Sequence, residues 1–230
     1  MKKALNYLGQ LRIYSLADLI TMLRAVSKFS KTLWGGVLLW IGFLVFLESL
    51  HKDKGREPVN QIYAWISWLI ALFFLRDSSG ISGLYVIFSI LYSLKKQWYW
   101  ARFSPLLRGL QTICMLVLVS PWQVRWYWLT IAWLLIVNRN FWGDARDTLH
   151  DKEEKVKTWP VKFKMKERPF AHLICTLGTS TAWWMYACDI SLNWLVTIFV
   201  IEVATYWMTP RQSNKKAAQE LHKILQLVWG

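Results

Sequence analysis

WQVRWYWLTIAWLLIVNRNFWGDARDTLHDKEEKVKTWPVKF, residues 122 to 163, joins two unlike halves. Up to Val137 it is almost wholly apolar and aromatic; from Asn138 onward it is polar and charged. An apolar run that starts among Trp and Tyr and ends in charge reads as a membrane helix emerging into water. Past that boundary come Asp144, Asp147 and Asp151, spaced three and four apart. Such spacings, on one continuous helix, bring all three carboxylates onto one face. Clustered carboxylates raise one another's pKa unless a cation neutralises them. Hard oxygen ligands that leave coordination open suit Mg²⁺ shared with a substrate phosphate. With Lys152, Lys155 and Lys157 behind them, the aspartates give two expectations: a metal–diphosphate site at a membrane boundary, or a solvated loop of mixed charge between helices.

Outward from this stretch the apolar residues recur in runs: 33–50, 62–75, 81–94 and 106–119 before it, 170–187 and 190–208 after it. Several fall short of the ~20 residues of a full crossing, and Trp and Tyr at their ends, such as Trp98, Tyr99, Trp122 and Trp126, extend them into the interface. The expected fold is an all-α integral membrane protein of about seven transmembrane segments arranged as helical hairpins around a central cavity. A chain that is 55% hydrophobic with 17 Trp is too apolar for an ordinary soluble domain. Its formal net charge of +14 sits in the tails and inter-run loops, which points to anionic lipid headgroups and away from nucleic acid. Cys114, Cys175 and Cys188 are scattered, with neither metal spacing nor a disulfide framework, and read as buried structural thiols. The first 31 residues hold no compact apolar run with a small-residue cleavage site.

Basic connections follow residue 50 and fill 95–108, 139–168 and the C-terminal tail, whereas RDSSG, SP and CDIS are short and nearly neutral. The excess of Lys and Arg places the basic loops, the 138–163 motif included, on the cytoplasmic side, in a cytoplasmic or other energy-transducing membrane. Hairpins 62–94, 106–138 and 170–208 result, and they leave 33–50 as an odd crossing: it conflicts with the basic residues of 1–31 unless it is tilted or re-entrant, or 4–26 also crosses. Leu5, Leu8, Ile13, Leu16, Leu19, Ile20 and Leu23 recur at helical spacing, as an interfacial amphipathic helix would require. Ala217, Ala218, Leu221, Ile224, Leu225 and Val228 repeat the pattern opposite Lys215, Lys216 and Lys223. The chain thus divides into an amphipathic segment 1–31, a transmembrane domain 32–209 and an amphipathic tail 210–230, and either tail could instead meet a partner subunit.

Asp144, Arg146, Asp147, Asp151, Lys152, Lys157, Thr158, Pro160 and Val161 form D-x-R-D-x-x-x-D, a basic residue, then K-T-x-P-V. This resembles the second aspartate-rich motif of the UbiA-type intramembrane prenyltransferases. Tyr92 with Lys95 and Lys96, in YSLKKQ, resembles the Tyr and Lys that the family carries at the cytoplasmic end of its fourth helix. The resemblance covers residues 33 to 208, with its strong signal in 138–163. Family members are longer and have more helices. Their first motif, N-x-x-x-D-x-x-x-D, is degenerate here: Glu48 and Asp53 stand near its place in FLESLHKDKGREPVN, five apart and so roughly 140° around a helix, and the Asn is missing.

The resemblance implies Mg²⁺-dependent transfer of a prenyl group from a polyprenyl diphosphate to a lipophilic, aromatic acceptor inside the bilayer. It implies metal binding by Asp144, Asp147 and Asp151, joined by Glu48 and Asp53 if the loop at 51–60 folds over. It assigns the diphosphate to Arg146, Lys152, Lys157, Lys95 and Lys96, and places Tyr92 beside the reacting centre. The short chain and degenerate first motif leave open a second expectation, a catalytically inactive UbiA-like scaffold or accessory subunit that binds a prenyl lipid, quinone or pigment in a membrane complex or as a homo-oligomer. His150 is either a further ligand or a solvated loop residue. Glu202, inside an apolar run, is costly in lipid and must face protein or a cavity.

Overall fold

The computed structural model describes residues 15, 19–21, 23, 31–50, 57–96, 99–119, 126–187, 191–208 and 212–229. These are all-helical, with no strand among the described residues. In sequence order the helices are α1 (Lys31–Ser49), α2 (Ile62–Phe74), α3 (Ser79–Ser93), α4 (Ser104–Val119), α5 (Trp126–Arg146), α6 (Thr148–Glu153), α7 (Trp159–Lys162), α8 (Pro169–Ala187), α9 (Leu192–Met208) and α10 (Gln212–Trp229).

The bundle is organised by α1, which touches α2, α3 and α4; the packing then passes from α4 to α5, from α5 to α8, and from α8 to α9 and α10. Close approach to α1 depends on small residues. Gly35 and Gly42 are two turns apart, and a Cβ on either would run into α2 or the bend after it: Leu75 Cγ would lie 2.6 Å from one on Gly35, and the Trp68 indole would overlap one on Gly42. Apolar helices associate through such packing and through hydrogen bonds rather than through a hydrophobic difference from lipid. Both occur here, since Ser67 Oγ donates to the Leu38 carbonyl (2.8 Å) and Trp68 Nε1 to that of Leu39 (3.1 Å). Gly109 on α4 seats Trp133 and Val137 of α5 in the same way.

Among the described residues two helical stretches, Thr32–Ser49 and Trp100–Val119, are long and apolar enough to cross a membrane. Residues 62–93, expected as a transmembrane hairpin, form two helices each shorter than a full crossing. These 13- and 15-residue helices meet at a 93° bend, a broken span or re-entrant loop, so the candidate spans among the described residues number up to three if the pair counts as one. At the bend Leu75 is buried against Gly35, and the polar RDSS that follows folds into a short 3₁₀ turn that redirects the chain. The α5 helix has the length for a crossing, but Asn138, Arg139 and Asn140 make its last two turns polar. The outer face of α2 is a sheet of exposed apolar side chains, Trp65, Leu69 and Phe73 among them, as expected of a surface that meets lipid.

Most of the N-terminal segment lies outside the described residues, but Ser15, Leu19, Ile20, Thr21 and Leu23 are helical, and Leu19 and Leu23 are buried in the core with α1. Trp194 Nε1 of α9 donates to Thr21 Oγ1 at 2.7 Å. The face expected to lie in the membrane interface is thus packed into the bundle where it is described. In α10, Leu221 packs on Leu173 of α8, while Ile224, Leu225 and Leu227 are exposed.

Replacing Gly42 with Val is expected to destabilise the protein by about 1–3 kcal/mol, the usual cost of overpacking. Gly178, with nothing within 4 Å of its would-be Cβ, is the control. Its replacement by Ala should leave the melting temperature of the detergent-solubilised protein unchanged or raised, and thermal unfolding of the two variants reads the difference.

Candidate functional site

The three aspartates do not share one helix. The α5 helix ends at Arg146, Asp147 stands in the turn, and α6 begins at Thr148. The Asp147 amide still reaches back to the Gly143 and Asp144 carbonyls (both 3.2 Å), so the chain bends without leaving the end of the bundle. Beyond Asp151 it turns again through Lys155, whose φ is 58°. The Val156 amide bonds the Asp151 carbonyl (2.7 Å) and the Lys155 amide that of Lys152 (3.1 Å), the crossed pair that ends a helix in a left-handed residue. Lys164, with φ 51°, ends α7 in the same way through Met165 to Pro160 and Lys164 to Val161. A side chain in that conformation costs about 1 kcal/mol relative to glycine. Pro160 stands in the first turn of α7, where a missing N–H costs nothing. These turns bring Thr158 back over α6, and its hydroxyl donates to Asp151 Oδ2 at 3.2 Å.

Each carboxylate has its own partner. Lys95 Nζ, just beyond α3, lies 2.8 Å from Asp144 Oδ1, and Ser104 Oγ at the start of α4 donates to Asp144 Oδ2 at 3.2 Å. Arg146 grips Asp147 through two nitrogens, Nε to Oδ1 at 3.0 Å and Nη2 to Oδ2 at 2.8 Å, and its Nη1 is 3.4 Å from His172 Nδ1 on α8. Asp144 and Asp151 are about 5% exposed or less. Burial opposes the Lys95 ammonium, but the negative charge of Asp144 and Asp151 outweighs it and holds Lys95 above its ordinary range. Burial pushes the Asp151 carboxyl from its ordinary 3.8 to about 6, with Lys95 pulling it down and Asp144 and Asp147 adding to the rise.

Tyr92 connects this cluster to a second group deeper in the bundle. Its hydroxyl donates to Asn140 Oδ1 on α5 (3.2 Å), and Lys95 Nζ lies 5.1 Å from its ring centre. On the other side is Arg108 of α4, whose guanidinium carbon is 4.1 Å from the Trp40 ring, 4.3 Å from Phe43 and 5.7 Å from Tyr92. Arg108 also donates to the Gln111 side chain, which donates in turn to Ser89. A guanidinium on aromatic faces gains roughly 0.5–2 kcal/mol per contact, more as water is excluded.

The structure therefore brings together Tyr92, Lys95, Asp144, Arg146, Asp147 and Asp151. It leaves Lys152 and Lys157 exposed on the outer side of the motif. Glu48 is buried in the last turn of α1 at 3% exposure, so it belongs to the helix interior rather than to a loop folded over the site. Asp53 lies outside the described residues, as does the side chain of Lys96. His150 sits 3.3 Å from Glu154. Glu202 is fully buried and accepts from Ser180 Oγ at 2.6 Å, the protein-facing position expected of it. Sequence reasoning missed Ser104, Asn140, His172 and Arg108. For Arg108 the signal was present, because a basic residue inside the apolar run 106–119 must face protein; the others carry no pattern.

A Mg²⁺ ion asks for near-octahedral oxygen ligands at about 2.0–2.1 Å. The arrangement does not fit one: the Asp144 and Asp147 oxygens are held by Lys95, Ser104 and Arg146, and among the described residues no three His, Cys, Asp or Glu side chains are grouped to hold a metal. No protein-family model matches the chain, and neither a curated protein nor a solved structure does.

Asp151 binds its proton at about 6 when folded and 3.8 when unfolded, so the folded state holds more protons between those values. Its contribution is fully present below about pH 4 and is lost as pH rises through 6, a change of order 2–3 kcal/mol. Subtracting the melting-temperature profile of Asp151→Asn from that of the wild type between pH 4 and 7 should show a falling step; a flat or rising difference would contradict the burial of this carboxylate.

Proposed function

We propose that this chain is a UbiA-like membrane protein that holds an isoprenoid lipid and does not transfer its prenyl group. The observation that supports the reading is the meeting of two stretches distant in sequence: Lys95, from the segment that resembles the family's fourth-helix end, pairs with Asp144 of the aspartate-rich motif at 2.8 Å. Both stretches would be expected at one polar site above an apolar bundle if the resemblance extends to the fold. In this reading the shorter helices complete a seven-segment arrangement, with the basic loops and residues 138–163 on the cytoplasmic side. The prenyl chain lies among apolar helices, and its anionic head meets the exposed Lys152 and Lys157. Retention is favoured over transfer because the carboxylates that would hold metal are engaged by the chain's own cations, and because Glu48 is withdrawn into α1.

The second reading is Mg²⁺-dependent transfer of the prenyl group to a lipophilic, aromatic acceptor. The aromatic group of Trp40, Phe43 and Tyr92 favours it, since such faces attract positive charge in a dry interior.

The test is binding of a non-hydrolysable geranylgeranyl diphosphate analogue to the detergent-solubilised protein. Binding is expected in EDTA as well as in Mg²⁺, and weaker by about thirtyfold in Lys152→Ala/Lys157→Ala, each lysine contributing on the order of 1 kcal/mol near an anionic head. Binding that requires Mg²⁺, with pyrophosphate release from the natural diphosphate, would replace retention by transfer. A folded protein that binds no analogue under either condition would remove the isoprenoid reading altogether.

A further inference from the structure

We infer that the Lys95 ammonium is the resident cation beside Asp144 and Asp151, taking there the role a divalent ion would otherwise fill. The inference stands on the geometry of the cluster and is independent of any lipid. Three observations carry it. Lys95 is 2.8 Å from Asp144 Oδ1, at hydrogen-bond distance from a buried carboxylate. Its charge acts on Asp151 as well as on Asp144, although the two stand on different helices. The neighbouring oxygens have protein partners of their own: Ser104 on Asp144 Oδ2, Arg146 on both oxygens of Asp147, and Thr158 on Asp151 Oδ2.

The stem of Lys95 is fixed from the side, its ammonium 5.1 Å from the Tyr92 ring centre, and Tyr92 is held through its hydroxyl to Asn140. The ion therefore arrives on a short 3₁₀ turn, Leu94–Lys96, at the end of α3, and closes the cluster from the side of the bundle core. A lysine here supplies one charge and three directed protons where a divalent ion would supply two charges and demand more oxygens. The consequence is a cluster that joins α3, α4, α5 and α6 and needs no metal to assemble.

The experiment compares Mn²⁺ binding, read by electron paramagnetic resonance, and melting temperature in EDTA or Mg²⁺, on the full chain in detergent. Wild type should bind no Mn²⁺ at the cluster and melt at the same temperature in both buffers. Lys95→Met should melt lower in EDTA, recover in Mg²⁺, and bind Mn²⁺ about tenfold or more tighter than wild type, because a buried positive charge has been removed from beside the carboxylates. Lys95→Met/Asp144→Asn, neutral at both positions, should fold in EDTA and lose the Mn²⁺ signal. Two results would overturn the assignment: wild-type Mn²⁺ binding that disappears in Asp151→Asn, or a Lys95→Met protein that neither gains Mn²⁺ nor responds to Mg²⁺. Should Lys95→Met fail to fold, the wild-type and Asp151→Asn arms decide alone, and an absent wild-type signal, with the doubly neutral variant folded in EDTA, supports the assignment.

Discussion

The ion pair between Lys95 and Asp144 sets the conditions under which the polar end of this bundle can exist. Both groups are largely removed from water. Placing either one there alone would cost several kcal/mol, and the pair is tolerated only because each satisfies the other and further hydrogen bonds complete the carboxylate. Removing one partner of such a pair generally costs 3–5 kcal/mol, since an uncompensated charge is left inside. Around it the helix ends are arranged to supply what the pair lacks: Ser104 from α4, and the bent end of α5 that carries Asp147 close enough to press on Asp144 and Asp151. Residues 147–168 then form a lid of two short helices, tied back to the bundle by the Arg168 amide on the Ala145 carbonyl at 3.1 Å.

Beneath the pair the same problem is solved by a different means. Arg108 carries its charge into the apolar interior of α4, where it is stacked over Trp40 and Phe43 and bonded to Gln111. Tyr92 lies between the two cations, its ring within 5.1 Å of Lys95 and 5.7 Å of Arg108. A line of charge thus runs from the bundle interior to its polar end, with the Tyr92 ring standing between its members. With Gly35 and Gly42 letting α2 close on α1 from the far side, α1 can offer Trp40 and Phe43 to that interior without being pushed away.

Much of the helical layout was legible in the residues. Apolar runs at 33–50, 106–119, 170–187 and 190–208 correspond to α1, α4, α8 and α9, because a run of that length has no way to satisfy its backbone other than a helix. The gathering of Tyr92, Lys95 and the aspartates was legible too, but only as a resemblance. The number of crossings was not: it turns on the 93° bend after Leu75, which depends on the fit of Leu75 against Gly35, a contact between residues 40 apart with no local signature. Nor was the break at Asp147, since a spacing of three and four is compatible with one helix or two.

What the sequence by itself determined is composition-driven and local: an all-helical chain of apolar segments, with most of its charge in the connections between them. Whether the acidic residues would be open to a cation, or already hold one, lay beyond it. Lys95 and Asp144 are 49 residues apart, and beyond the resemblance nothing near either of them names the other. Their union was decided by how α3, α4 and α5 pack, because only a shared dry end forces each buried charge to find a partner within reach.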